Sequence, residues 1–161
     1  MRRQLIAITL VALSLSGCAR LHRPGFPRPV RAPVLVLSDF DMTMSAISGM
    51  LETRGIPILM TDSQFGTIQS DWVYWEAGEV DLSYVADCGG DADTPPNRMR
   101  ARFRFDVRRR AKGSTVQIAT QWQADKHPGF ERGTEGFVDC RSTGEWERAV
   151  EEALTQRQTI R

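Results

Sequence analysis

The 161 residues carry 21 Lys and Arg against 20 Asp and Glu, a formal net charge of +1, so whole-chain electrostatics give no argument for nucleic acid. Three cysteines and two histidines occur without paired His or Cys spacing, which leaves a metal centre unsupported. No phosphate-cradling glycine loop, nucleophile elbow or dinucleotide fingerprint is present, so no enzyme class, catalytic residue or cofactor is indicated.

The chain opens with Arg2 and Arg3, then an apolar run from Leu5 to Leu15. That run falls short of the roughly 20 residues of a spanning helix and has the parts of an export signal. The competing reading, a buried N-terminal helix, would set two arginines against the helix dipole. Leu15-Ser16-Gly17-Cys18 resembles a bacterial lipobox, which implies cleavage before Cys18 and a diacylglycerol on its sulfur. Ala19, where an Asp would favour inner-membrane retention, points to the outer membrane with the domain in the periplasm. The expected organisation is a signal peptide over 1–17, a lipidated tether over 18–33 and one domain over 34–161. Loss of Arg2 and Arg3 takes the basic residues from 21 to 19 against 20 acidic.

Residues 19–33 hold four of the eight prolines and four arginines. This composition reads as an extended polyproline II tether of about 45 Å, either a solvated spacer or one resting on anionic head groups. Val34 to Leu37 is a short apolar edge strand. Phe40, Met44, Ile47 and Leu51 are at helical spacing, with Ser38 or Asp41 to cap the start, Arg54 and Gly55 to end it, and Pro57 forbidding continuation. Met44 and Met50 read as core filler.

Residues 66–75 alternate as a strand, with Ile68, Ser70, Trp72 and Tyr74 on one face and Val73 and Trp75 on the other. Cys88 to Asn97 has the Gly, Asp and Pro content of a loop. Its Asp91 and Asp93 lack the further ligands of a calcium site. The clearest pattern follows. Met99, Ala101, Phe103, Phe105 and Val107 are all odd-numbered, whereas Arg98, Arg100, Arg102, Arg104 and Arg108 are even, with Asp106 interrupting the basic face. After the turn in Arg109–Thr115, Val116, Ile118, Thr120 and Trp122 keep one parity, which predicts an antiparallel hairpin. Ser142 and Glu145 form a capping-box pattern, and Trp146, Ala149, Val150, Ala153 and Leu154 make an apolar stripe on a helix from Thr143 to Gln156.

The predicted fold is α+β: a small antiparallel sheet with an N-terminal helix and a long C-terminal helix packed on it. With Cys18 assigned to lipid, Cys88 and Cys140 remain, most economically a disulfide worth roughly 2–4 kcal/mol in an oxidising compartment. Free structural thiols are the alternative, and no Cys-x-x-Cys supports redox catalysis. His22 falls in the tether and His127 in a loop beside Pro128. Arg100, Arg102, Arg104 and Arg108, together with Trp75, are the candidate binding residues. The arginines make either a solvated outer face or a surface for an anionic lipid or acidic protein partner.

Several of these features together resemble the BamC-like lipoprotein domains of helix-grip type, found in the outer-membrane β-barrel assembly machinery. They are the lipobox at Cys18, the Pro-rich tether, a helix ending "LETRGIPI", "TDSQFGTIQSDW" at Thr61 to Trp72, the "RFRFDVRRR…STVQIATQ" hairpin and the terminal amphipathic helix. The resemblance implies a long final helix lying across an antiparallel sheet, and carries over no catalytic residue. The function expected is a lipid-anchored binding or scaffold module with a protein partner in envelope assembly. A carrier of a lipid or other amphiphile between helix and sheet is the alternative, and an envelope enzyme with an unrecognised site the second.

Overall fold

A computed structural model describes residues 26–76, 79, 81–89, 98–125 and 136–156. The signal segment, Cys18, His22, Asp91, Asp93 and His127 lie outside the described residues. In chain order the elements are β1 (Val34–Val36), α1 (Phe40–Thr53), β2 (Ile58–Asp62), β3 (Thr67–Ser70), β4 (Val73–Glu76), α2 (Leu82–Val85), β5 (Ala86–Asp87), β6 (Arg98–Arg110), β7 (Gly113–Asp125), β8 (Phe137–Ser142) and α3 (Glu145–Gln156).

The alternation in β6 and β7 produces the hairpin it predicts, and the rest of the sheet is assembled on it. Arg110 pairs with Gly113 across the turn and Met99 with Ala124 at the far end. Each strand has 13 residues, so the hairpin is about 44 Å long at ~3.4 Å per residue. Gly113 closes the turn at φ 100°, where an added Cβ would lie 2.2 Å from the Val36 carbonyl oxygen. Only glycine permits both the backbone conformation and the close passage of β1.

The flanking strands are short and lie end to end along the hairpin. Outside β6, β3 covers the turn half and β4 the open half. Outside β7, β1 covers the turn half and β8 the open half. β2 extends the sheet beyond β3, and β5 pairs with β8. On one face Met99, Ala101, Phe103, Phe105 and Val107 are 0–1% exposed. Opposite them in register stand Ala124, Trp122, Thr120, Ile118 and Val116. Burying the Met, Phe, Ile and Val side chains among them contributes about 1.5–3 kcal/mol each.

α1 covers this face with Phe40, Met44, Ile47, Met50 and Leu51, so both Met44 and Met50 are core residues. Its cap is Asp39, whose carboxylate accepts from the Met42 amide at 2.8 Å, rather than Ser38 or Asp41. The C-terminus closes as expected at Arg54 and Gly55. The Ile56 amide donates to the Leu51 carbonyl and that of Gly55 to Glu52, which satisfies two end carbonyls.

The helix-grip expectation is overturned. Eight strands are present among the described residues, against a 12-residue α3 about 18 Å long at ~1.5 Å per residue. A helix of that length spans less than half of the central hairpin. Three strands escaped the sequence reading: β2, read only as the chain after Pro57, the two-residue β5, and β8, whose "FVDCRS" has no clean alternation. The capping box does not form either. Ser142 ends β8, and its hydroxyl donates to Glu147 at 2.8 Å. Glu147 is 1% exposed and also accepts from the Thr120 hydroxyl at 2.6 Å. A buried carboxylate satisfied by two hydroxyls therefore sits on the apolar stripe, while Ala149 faces solvent. Trp146 stacks on Phe103 with ring centroids 3.9 Å apart.

Candidate functional site: the arginine face of the sheet

With α1 and α3 on one face, no helix covers the other among the described residues. Even-numbered side chains of β6 and odd-numbered ones of β7 emerge there. Arg100 stands opposite Gln123, Arg102 opposite Gln121, Arg104 opposite Ala119 and Arg108 opposite Thr115.

A register change in the outer strand brings aromatic side chains to this face. Gln69 pairs with Arg104, whereas Val73 pairs with Ala101. Three outer residues thus oppose two of β6. One extra residue flips every following side chain to the other face. Ser70, 0% exposed, covers the interruption by accepting the Phe103 amide on its hydroxyl at 2.9 Å. The single alternation expected over 66–75 is therefore broken. Ile68 and Ser70 stay on the core side with Val73 and Trp75, and Trp72 and Tyr74 emerge among the arginines. Trp75, a candidate binding residue, stacks on Trp122 at 5.8 Å and packs against the core.

The result is a column of alternating rings and guanidinium groups. Arg100 Cζ lies 4.0 Å from the Phe137 centroid and 4.4 Å from that of Trp72. Arg102 Cζ lies 4.9 Å from Trp72 and 4.8 Å from Phe26. Each of the two arginines thus contacts two rings, and Trp72 is common to both. Their edges are fixed by glutamines. Arg100 Nε donates to Gln123 Oε1 and Arg102 Nε to Gln121 Oε1, both at 2.8 Å. Both glutamines then donate to Asp139 Oδ1, at 2.7 and 3.3 Å. Burial, followed by the charge of Arg100, lowers the Arg102 pKa from its ordinary value.

Towards the hairpin turn the arginines are less constrained. Arg104 is held by Asp106 through contacts of 2.9 and 3.0 Å. Arg108 donates to the Phe65 carbonyl at 3.2 Å, and Arg110 to the Thr115 hydroxyl at 3.3 Å. Neither has a carboxylate partner among the described residues. With Pro33 and Gln117, these groups line an open groove of about 320 Å³. Three guanidinium groups face one carboxylate there, a donor set suited to an anion.

The sequence reading placed residues up to 33 in a tether, but 26–33 lies against the domain. Besides the Phe26 contact, the Arg31 carbonyl accepts from Gln117 at 2.7 Å, and the Arg31 guanidinium pairs with Glu151 of α3 at 2.8 Å. Cys88 and Cys140 are joined as a disulfide. Ala86 pairs with Ser142 and Asp87 with Arg141, so the bridge occupies the next position of the β5–β8 ladder.

Of the candidate binding residues, the structure brings Arg100, Arg102, Arg104 and Arg108 to one face and puts Trp75 on the other. The sequence reading missed Phe26, Trp72, Tyr74, Phe137, Gln121, Gln123 and Asp139 as members of the face. The odd parity of Gln117, Gln121 and Gln123 in β7 was an available signal for three polar groups beside the arginines. The aromatic members depend on the register change and on chain packing.

No protein-family model matches the chain, and no curated protein matches it. Among solved structures it is similar to a DUF4468 family protein from Bacteroides ovatus, with 8% identity, 79% of each chain covered and a TM-score of 0.34.

Proposed function

We propose that this chain is a non-catalytic, lipid-anchored periplasmic binding module, an accessory in outer-membrane or envelope assembly that meets an anionic partner on its arginine face. The observation that supports this reading is the division of labour along one sheet face. Arg100 and Arg102 are stacked between rings and fixed by glutamines, whereas Arg108 and Arg110 line an open groove without a carboxylate partner among the described residues. The stacked end of the face is committed to internal contacts, whereas the groove end presents guanidinium donors suited to an anion. Attachment would be through Cys18, and the docked segment 26–33 joins that anchor to the domain.

The test has two arms. Replacing Cys18 by Ser should abolish palmitate labelling and release the chain from the membrane fraction; a label that persists removes the anchor. A photo-crosslinking residue at Gln117 should give adducts in the native envelope that the same residue at Glu52, on exposed α1 surface, does not. Identical adducts from both positions would overturn the arginine face as the binding surface.

A further inference from the structure

The groove has an apolar surround that the sequence does not announce. Leu35 pairs with Thr115, which pairs with Arg108. Met60 pairs with Gln69, which pairs with Arg104. Both apolar side chains therefore share a face with the arginines, and Phe65, in the turn before β3, accepts from Arg108 on its backbone carbonyl. Leu35, Met60 and Phe65 are 51, 45 and 63% exposed. Large apolar side chains around uncompensated arginines form the surface that enters a lipid interface, where apolar groups pass between head groups and cations meet phosphates.

The path of the chain selects the same face. Phe26 is seated on Arg102, and Cys18 precedes it by eight residues. Eight residues reach at most about 29 Å even when fully extended. An anchor at Cys18 thus keeps the arginine face, from which the chain departs, close to the bilayer that holds the acyl chains.

We infer that the exposed arginine face lies on the membrane surface, with phosphate-bearing lipid head groups in the groove of Arg104, Arg108 and Arg110 and with Leu35, Met60 and Phe65 entering the interface. This rests on the reading of Cys18 as a lipid anchor and names the anionic partner as the anchoring membrane itself. Since multiple acylation already gives stable attachment, the contribution of the face is orientation. It turns α1 and α3 away from the bilayer.

Vesicle flotation tests this with unacylated chain 18–161 carrying Cys18→Ser. The vesicles are phosphatidylcholine alone, or phosphatidylcholine with about one third phosphatidylglycerol to supply a negative surface. The chain should bind the anionic vesicles, bind the neutral ones far less, and lose binding as salt rises. Arg108→Gln with Arg110→Gln should lower partitioning about 30-fold, from roughly a fivefold loss per arginine at a charged surface. Arg54→Gln with Arg109→Gln, equal in charge change but off this face, Arg109 being beside Asp41 and Phe40 of α1, should retain the parent's binding. Phe65→Ser should lower it about tenfold and serves as the second variant should the double arginine variant lose its near-ultraviolet circular dichroism. Equal binding to both vesicle types, equal loss in both double variants, or parent-like binding by Phe65→Ser would each overturn the inference. Crosslinks from Gln117 to protein alone, never to lipid, would do the same while leaving the proposed function in place. The protein carries no acyl group in the vesicle assay, so its outcome is independent of palmitate labelling at Cys18.

Discussion

Trp72 is the residue on which the arginine face turns. Its ring is shared by Arg100 at 4.4 Å and Arg102 at 4.9 Å, so two like charges are held against one π-system. Without the ring, their mutual repulsion would be offset by the Gln121–Asp139–Gln123 network and by the separate Phe137 and Phe26 contacts. A double-mutant cycle between Trp72→Ala and Arg100→Gln, read by chemical denaturation, should show a coupling of about 0.5–2 kcal/mol. Coupling indistinguishable from zero would mean that the stack is only a by-product of packing. Trp75, three positions on and of the same residue type, lies against Trp122 instead. Composition cannot separate these two tryptophans; the added residue between β3 and β4 does.

At the scale of elements, α2 and the start of α3 are joined by a polar clasp. The Tyr84 hydroxyl donates to Glu145 Oε2 at 2.9 Å, Arg148 forms an ion pair with Glu145, and the Thr143 hydroxyl donates to the Tyr84 carbonyl at 2.7 Å. The hydrogen bond from Arg148, and then that from Tyr84, hold the Glu145 carboxyl below the usual carboxylate range, and Glu145 raises the Arg148 guanidinium in turn. The sign follows from linkage. A carboxyl with a depressed folded pKa stabilises the fold above its unfolded value of about 4.3, and that contribution is lost as pH falls through the folded value. NMR titration should therefore place Glu145 below an ordinary glutamate, and Tyr84→Phe should move it upward. An ordinary midpoint in both proteins would show that the clasp does not persist in solution. The pair is exposed to water, so its effect should be read as a shifted titration and not as a large loss of stability.

Across the whole molecule, the disulfide is the longest-range covalent constraint among the described residues. It closes a 52-residue separation, which corresponds to about 4 kcal/mol in the chain-entropy model of unfolded-state restriction. Cys88→Ser with Cys140→Ser should lower the denaturation free energy by an amount approaching that figure while leaving the hairpin folded. A loss below about 1 kcal/mol, at the low end of the range seen for disulfides, would show that the β5–β8 ladder and the Tyr84 clasp already restrain the segment.

Read alone, the sequence determined the features whose cause is local. Strict parity forced the β6–β7 hairpin, because one face of a strand must bury its apolar residues and the other must not. Spacing, with Arg54, Gly55 and Pro57, specified α1 and its end, and the same parity set Arg100, Arg102, Arg104 and Arg108 on one surface. Tertiary structure decided what depends on residues far apart in the chain. It made the architecture sheet-dominated, with a short last helix, because β2 and β8 gain strand conformation from neighbours and not from their own pattern. It turned Trp72 and Tyr74 outward and Trp75 inward, because register belongs to a pair of strands. It also folded 26–33, read as tether, onto the arginine face, because Phe26 finds Arg102 and Arg31 finds Glu151 only once the sheet exists.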